Sequence, residues 1–381
     1  MGNKIRVGLV YGGRSGEHEV SLQTALAVLK AFDYDRYELV PFYITPKGQW
    51  RSGPLLSAPP AAVAELQFAS SAAPEAAKEG DAPTGSALLP VLRGMSEQML
   101  ADGAPANDGR PIDVMLPLLH GTFGEDGTIQ GLFEMAGLPY VGAGVLASAV
   151  GMDKVAMKTM FAQAGLPQVG YRHFIRYQWK KDRESVLADV EELGYPCFVK
   201  PANLGSSVGV SKARDREELV AAIEQALRFD RKVIVEEFID AREIEVSVLG
   251  NDDPRASVPG EIVSSNEFYD YNAKYIDGKS IMVIPAEIPR ETADAVRDMA
   301  IRAFRSIDGS GLCRADFFLR RSDGKLFINE VNTLPGFTPF SMYPLMWKES
   351  GVSYRELLDR LIRLALERFE ERQSIDYGSG T

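Results

Sequence analysis

The chain has 381 residues, 45% hydrophobic and 25% charged, enough to bury more than one core, so a soluble globular protein of two or three domains is expected. Its net charge of -11 and pI near 5.0 argue against a nucleic-acid-binding surface, which needs a clustered basic footprint. No window approaches a membrane span, and Gly8, Gly12 and Gly13 break the first apolar run before it could serve as a signal peptide.

Ile5 to Tyr11 reads as a strand, Gly12-Gly13-Arg14-Ser15-Gly16 as a turn and Val20 to Phe32 as a helix, with a second strand at Leu39 to Ile44. Residues 52 to about 110 are rich in Ala, Pro, Ser and Gly without periodicity and read as an insertion that carries no chemistry. A buried strand, Asp113 to Leu119, leads into the loop His120-Gly121-Thr122-Phe123-Gly124-Glu125-Asp126-Gly127, then a helix from Ile129 to Ala136 stopped by Gly137. This alternation predicts an α/β first domain, residues 1–145, built on a parallel sheet. A helix from Leu146 to Ala164, a strand at Tyr171 to Tyr177, a helix near Glu184 to Leu193 and a strand at Pro196 to Lys200 predict a second, α+β unit, residues 146–240. The third unit, residues 241–381, has apolar alternation at Glu243 to Leu249, Ser280 to Glu287, Leu312 to Leu319 and Leu326 to Val331, then helices to about Arg372 and a frayed tail. Cys197 and Cys313 both fall in strand-like apolar runs, so buried thiols in a reducing, cytoplasmic setting are expected rather than a disulfide or a metal site.

The most informative segments are Arg314 to Leu319 and Phe327 to Asn332, separated by the turn signal Ser322-Asp323-Gly324. A hairpin centred on Asp323 puts Asp316 opposite Glu330 and Arg314 opposite Asn332, all on one face. Two facing carboxylates are unfavourable without a counterion, and a hard divalent cation with oxygen ligands, magnesium with ATP phosphates, is the natural solution. The bland alternative is a solvated polar strand face.

Gly205-Ser206-Ser207-Val208-Gly209, after the strand ending at Lys200, can lay N–H groups and hydroxyls around a phosphate, although such loops are also ordinary turns. Lys200 and Lys154 are either phosphate contacts or surface lysines, and the acids Glu236, Glu237 and Glu243 either accept ribose hydroxyls or sit as solvated edge charge. Neither a G-x-x-x-x-G-K-[ST] P-loop nor a G-x-G-x-x-G dinucleotide motif is present.

Together, Gly12 to Ser21, His120 to Gly131, Phe198-Val199-Lys200-Pro201, Gly205 to Gly209, Tyr269 to Tyr275, and Asp316 with Glu330 and Asn332 resemble, in content and order, the D-alanine–D-alanine ligases. The resemblance implies a three-domain ATP-grasp fold, α/β and α+β, in which ATP lies between the second and third units. It implies ATP contacts at Lys154, Lys200, Ser207, Glu236, Glu237, Ile239 and Glu243, and magnesium, two ions with manganese as a substitute, at Asp316, Glu330 and Asn332. Glu17, Ser206 and Tyr275 match a hydrogen-bonded trio under a lid, Tyr269 to Tyr275, whose Lys274 joins the substrate positions. Arg314 and the backbone of Gly336 match the groups that hold a tetrahedral oxyanion; His120 matches a residue near the first D-alanine, and Ser341 with Met342 the carboxylate site of the second. The implied activity joins two D-alanine molecules through an acyl phosphate for peptidoglycan synthesis, in a cytoplasmic homodimer. Ligases that take D-lactate or D-serine second, a nucleotide-binding regulator without turnover, and a scaffold protein are the rivals.

Overall fold

Apolar strand-forming runs gather into three sheets, one within each third of the chain, in the computed structural model, which describes residues 4–68, 111–263 and 281–376. In the first, β1 (Ile5–Gly12) lies between β2 (Tyr37–Ile44) and β4 (Val114–Pro117), parallel to both, because helix α1 (His18–Ala31) returns the chain across the sheet. β3 (Trp50–Ser52) adds an antiparallel edge to β2, so the sheet is mixed rather than wholly parallel. The start of the presumed insertion belongs to this core: Leu66 is fully buried, and Tyr11 Oη donates to its carbonyl at 3.0 Å. The rest of that insertion, 69–110, lies outside the described residues, as do the segment Tyr269 to Tyr275, expected as a lid, and the last residues of the tail.

Helix α2 (Thr128–Met135) follows the His120 loop. The single helix expected from Leu146 to Ala164 is two helices, α3 (Val145–Met152) and α4 (Lys154–Gln163). Asp153 separates them because its carboxylate accepts from the N–H groups of Val155 and Ala156 and so starts a new helix. The second sheet is antiparallel, ordered β5 (Tyr171–Ile175), then β8, then β6 (Cys197–Pro201) and β7 (Ser211–Ala213), with β8 spanning Lys232–Glu237. Helices α5 (Arg176–Lys181), α6 (Arg183–Glu191) and α7 (Arg216–Phe229) cover one face; the expected strand to Tyr177 stops at Ile175, where Gln178 accepts from the Ile175 N–H and opens α5.

The third sheet centres on β9 (Ala241–Gly250), flanked by β11 (Gly260–Val263) and by β13 (Gly311–Arg320), with a short β10 (Arg255–Ala256), β12 (Ile281–Val283) at one edge and β14 (Leu326–Asn332) at the other. Helix α8 (Arg290–Ser306) buries Val296, Ala300 and Phe304 against Ile244, Val246, Cys313, Ala315 and Phe317, which turns the alternate residues Glu243, Glu245, Arg314 and Asp316 to the other face. After α9 (Met342–Glu349), the final helix α10 (Tyr354–Gln373) packs Leu357, Leu361 and Ile362 into the core of the first sheet, so the chain's end closes on its beginning.

Candidate active site

β13 and β14 pair antiparallel, with Arg314 opposite Asn332 and Asp316 opposite Glu330. Nearer the turn the register differs by one residue, Leu319 facing Leu326 and Phe317 facing Ile328. A β-bulge with Asn329 as the extra residue absorbs the difference, so the site has the register that a turn centred on Asp323 predicts only because the strand is bulged beside it. On the other side β9 sets Glu245 opposite Asp316 and Glu243 opposite Phe318. A row of acids, Glu245, Asp316 and Glu330, therefore crosses three strands, with the Arg314 guanidinium among them: Arg314 Nε and Nη2 donate to the two Asp316 oxygens at 2.7 Å each, and Nε lies 3.2 Å from Glu245 Oε2.

Two cavities meet at this row. The larger, about 500 Å³, takes in Glu17, His120, Arg314, Asn332, Gly336, Ser341 and Met342. The other, about 380 Å³, takes in Lys200, Ser207, Glu236, Glu237, Ile239, Glu243 and Asp316. Lys154, Ser206, Glu245 and Glu330 line both, so every described residue singled out from sequence borders one chamber or the other; Lys274 and Tyr275 lie outside the described residues.

In the first chamber, Ser206 Oγ donates to Glu17 Oε1, joining the turn after β1 to the loop after β6. Ser206 and Ser207 both take left-handed backbone (φ 52° and 57°), a strained state usually held by surrounding structure at clamps and active sites. Glu17 is seated by Ser15, whose hydroxyl accepts from the Glu17 N–H and donates to His120 O at 2.6 Å. His18 secures the same turn through Nδ1, 2.7 Å from Gly13 O. The His120 ring is buried, its Nε2 3.2 Å from Thr24 Oγ1 and its Nδ1 3.6 Å from Glu125; burial would lower its pKa, but the contact with Glu125 holds it above the ordinary value. At the far wall, Ser341 Oγ accepts from the Thr338 N–H at 3.0 Å beside Gly336, at the start of α9, whose N–H groups and dipole favour an anion.

In the second chamber, Glu236 is fully engaged: Lys200 Nζ donates to Oε2 at 2.5 Å and Lys158 Nζ lies 2.9 Å from Oε1. Burial would raise its pKa, but the two lysines hold it well below the usual carboxylate range. Two lysines on one carboxylate leave one positive charge locally in excess, and of the two it is Lys200 that faces the chamber and suits a phosphate. Lys154 Nζ donates to Leu204 O at 2.8 Å, and Glu237 Oε1 accepts from Gly170 N–H at 2.7 Å. Phe198 and Phe238, 6.2 Å between ring centroids, lie beside these acids and offer apolar faces to a flat heterocycle.

Sequence reading passed over four side chains here. Lys158 sits one helical turn after Lys154, and Glu245 two residues after Glu243 on the same strand face, so spacing could have flagged both. Glu125 lay within a quoted loop, whereas Thr24 reaches His120 only through the fold.

Two family profiles, described as the D-ala D-ala ligase N-terminus and C-terminus, match residues 6–143 and 160–363. A D-alanine–D-alanine ligase of Bacillus cytotoxicus is 55% identical over 376 residues, covering 98% of this chain and 99% of the relative. Among solved structures, the D-alanine–D-alanine ligase from Coxiella burnetii aligns with a TM-score of 0.75 at 32% identity over 97% of both chains. The VanG D-Ala:D-Ser ligase from Enterococcus faecalis aligns with a TM-score of 0.77 at 32% identity over 95% of this chain and 100% of its own.

Proposed function

The chain belongs to the D-alanine–D-alanine ligase family, and from that premise we propose that its two abutting chambers form one active site, ATP in the chamber of Lys200 and Glu236, two D-alanines in that of Glu17 and Ser341. The enzyme uses ATP to join two D-alanine molecules through an acyl phosphate, for cell-wall synthesis. The observation that carries the site assignment is the shared wall: Lys154, Ser206, Glu245 and Glu330 belong to both chambers, so a γ-phosphate and a carboxylate can meet there.

Asp316, Glu330 and Asn332 suit magnesium by their chemistry, two facing carboxylates and one amide oxygen, with Arg314 supplying the positive charge that the acids require. Among the described residues no group of three acidic, histidine or cysteine side chains is gathered to hold a metal alone. Nucleotide oxygens would complete the coordination, as is usual for magnesium, which would there neutralise charge on the transferring phosphoryl group.

The chain's own groups do the positioning. Lys154 and Lys200 bind phosphate oxygens, with Ser207 of the glycine loop beside them; Glu237, Glu243 and the backbone of Ile239 hold the nucleoside. Glu17, fixed by Ser206, receives the ammonium group of the first D-alanine beside His120, while that D-alanine's carboxylate oxygen attacks the γ-phosphorus and ADP leaves. The second D-alanine places its carboxylate at Ser341 and the Met342 N–H, and its neutral amine attacks the acyl carbon while Arg314 and the Gly336 N–H hold the oxyanion. Phosphate then leaves. Tyr275 and Lys274 belong to the segment that would exclude water from the acyl phosphate. We take the three sheet-bearing units, ending near residues 145 and 240, as the domains, and a cytoplasmic homodimer without nucleic-acid or membrane partners as the working form; no helix among the described residues is long and apolar enough to cross a membrane.

Phosphate release from ATP with D-alanine, and the mass of D-alanyl-D-alanine, test this reading against L-alanine as control; competition with D-serine and D-lactate tests the second subsite. Release that needs no amino acid, or a mixed D-alanyl-D-serine product in preference to the dipeptide, would refute it. The first subsite has its own test. Gly121 is left-handed (φ +73°), and a Cβ there would stand 2.7 Å from Glu17 Oε2. Gly121→Ala is expected to raise the KM for D-alanine roughly tenfold, because the added Cβ displaces the Glu17 carboxylate, with the KM for ATP unchanged. Steady-state kinetics that show an unchanged KM for D-alanine would remove Glu17 from the ammonium site.

A further inference from the structure

Glu245 has no part in the roles assigned above, yet it stands at their centre. It lies opposite Asp316 across β9 and β13, is only 8% exposed in its side chain, and lines both chambers. Beside it is the guanidinium of Arg314, whose Nε is 3.2 Å from Oε2 while Nε and Nη2 donate to Asp316. Asp316 thus carries two competing claims. Both its oxygens already accept from Arg314, which draws on the charge a cation would use, and as it turns to a divalent cation those two charge-assisted hydrogen bonds weaken. A buried guanidinium left so would be costly unless another carboxylate received it. Glu245 is already at contact distance, so a small rotation of the guanidinium turns an ion pair into a hydrogen bond.

We propose that Glu245 is the positioning residue for Arg314: it receives the guanidinium when Asp316 turns to its cation, so that freeing the metal ligand and placing the catalytic arginine are one event. The proposal rests on reading Asp316 as a metal ligand and Arg314 as the oxyanion-holding group. It explains why a third acid is tolerated in a row that already holds two.

Glu245→Gln keeps the shape and removes the charge; Glu245→Thr serves if the first variant does not fold. The probe is Mn²⁺ titrated into the enzyme with a non-hydrolysable ATP analogue and read by electron paramagnetic resonance, alongside kcat and KM. Glu245→Gln is expected to weaken Mn²⁺ binding about tenfold, because Arg314 then stays on Asp316, and to lower kcat by about 10- to 100-fold with both KM values little changed. In an Arg314→Met background the same substitution is expected to cost nothing further in kcat. Native Mn²⁺ affinity in Glu245→Gln, or losses that multiply in the double variant, would overturn the proposal. So would complete loss of Mn²⁺ binding, which would make Glu245 itself a ligand. Arg314→Met with native turnover would instead refute the reading on which the proposal stands.

Discussion

Arg314→Met is expected to lower kcat by roughly 10²- to 10³-fold, the cost of removing one preorganised oxyanion donor. The side chain, 16% exposed, lies on the sheet face that both chambers share, as a cation between Glu245 and Asp316. In its proposed role its charge acts when negative charge develops on the acyl carbonyl oxygen, so the loss is expected in kcat, with the KM for ATP changing by no more than about threefold. The phosphate-release assay measures both constants. Methionine keeps the length of the stem, so packing against the strand is largely retained. A variant that kept native kcat would take Arg314 out of the reaction, whatever its geometry.

Glu236→Ala is expected to destabilise the second unit by about 3–5 kcal/mol, the usual cost of leaving buried charge without its partner. Here two lysines are left at once, Lys158 with 1% of its side chain exposed and Lys200 with 13%. The pH dependence follows from the same contacts. Because Lys158 and Lys200 hold the Glu236 carboxyl below its unfolded value, its stabilisation is fully present above about pH 4.3 and is lost as pH falls toward the depressed folded value. Native enzyme should therefore lose stability on acidification through that window, and Glu236→Ala should lack this part of the loss. Denaturant unfolding of both proteins between neutral and acid pH measures it; parallel curves would contradict the ion-pair account.

How far the sequence foretold the site depends on whether partners are near in sequence. The hairpin was legible because a turn signal and two alternating runs fix which residues face each other. The bulge at Asn329 was passed over: Ile328 and Val331 bury in the same core three residues apart, a break in the two-residue period that only the pairing identifies as one extra residue, and the expected pairing of Asp316 with Glu330 holds because of it. The split between α3 and α4 turns on one residue, since Asp153 reads as a polar helix position until its carboxylate is seen capping Val155 and Ala156. Leu66 looked like part of a structureless insertion because its partner, Tyr11, is far away in the chain. Glu245 and Lys158 were within reach of spacing rules, but an acid on a strand and a lysine on a helix are common surface residues, and only burial separates these two from the rest. The mixed character of the first sheet came from β3, three residues too short to carry a period.

In the proposed site a D-alanine carboxylate oxygen attacks the γ-phosphorus across the wall that the two chambers share. D-alanine labelled with oxygen-18 in its carboxylate tests that contact. During ligation the labelled oxygen should pass to the released phosphate, with one label per dipeptide formed. Unlabelled phosphate, with both labels accounted for in dipeptide and water, would mean that the carboxylate never met the phosphoryl group, and the two chambers would not be one active site.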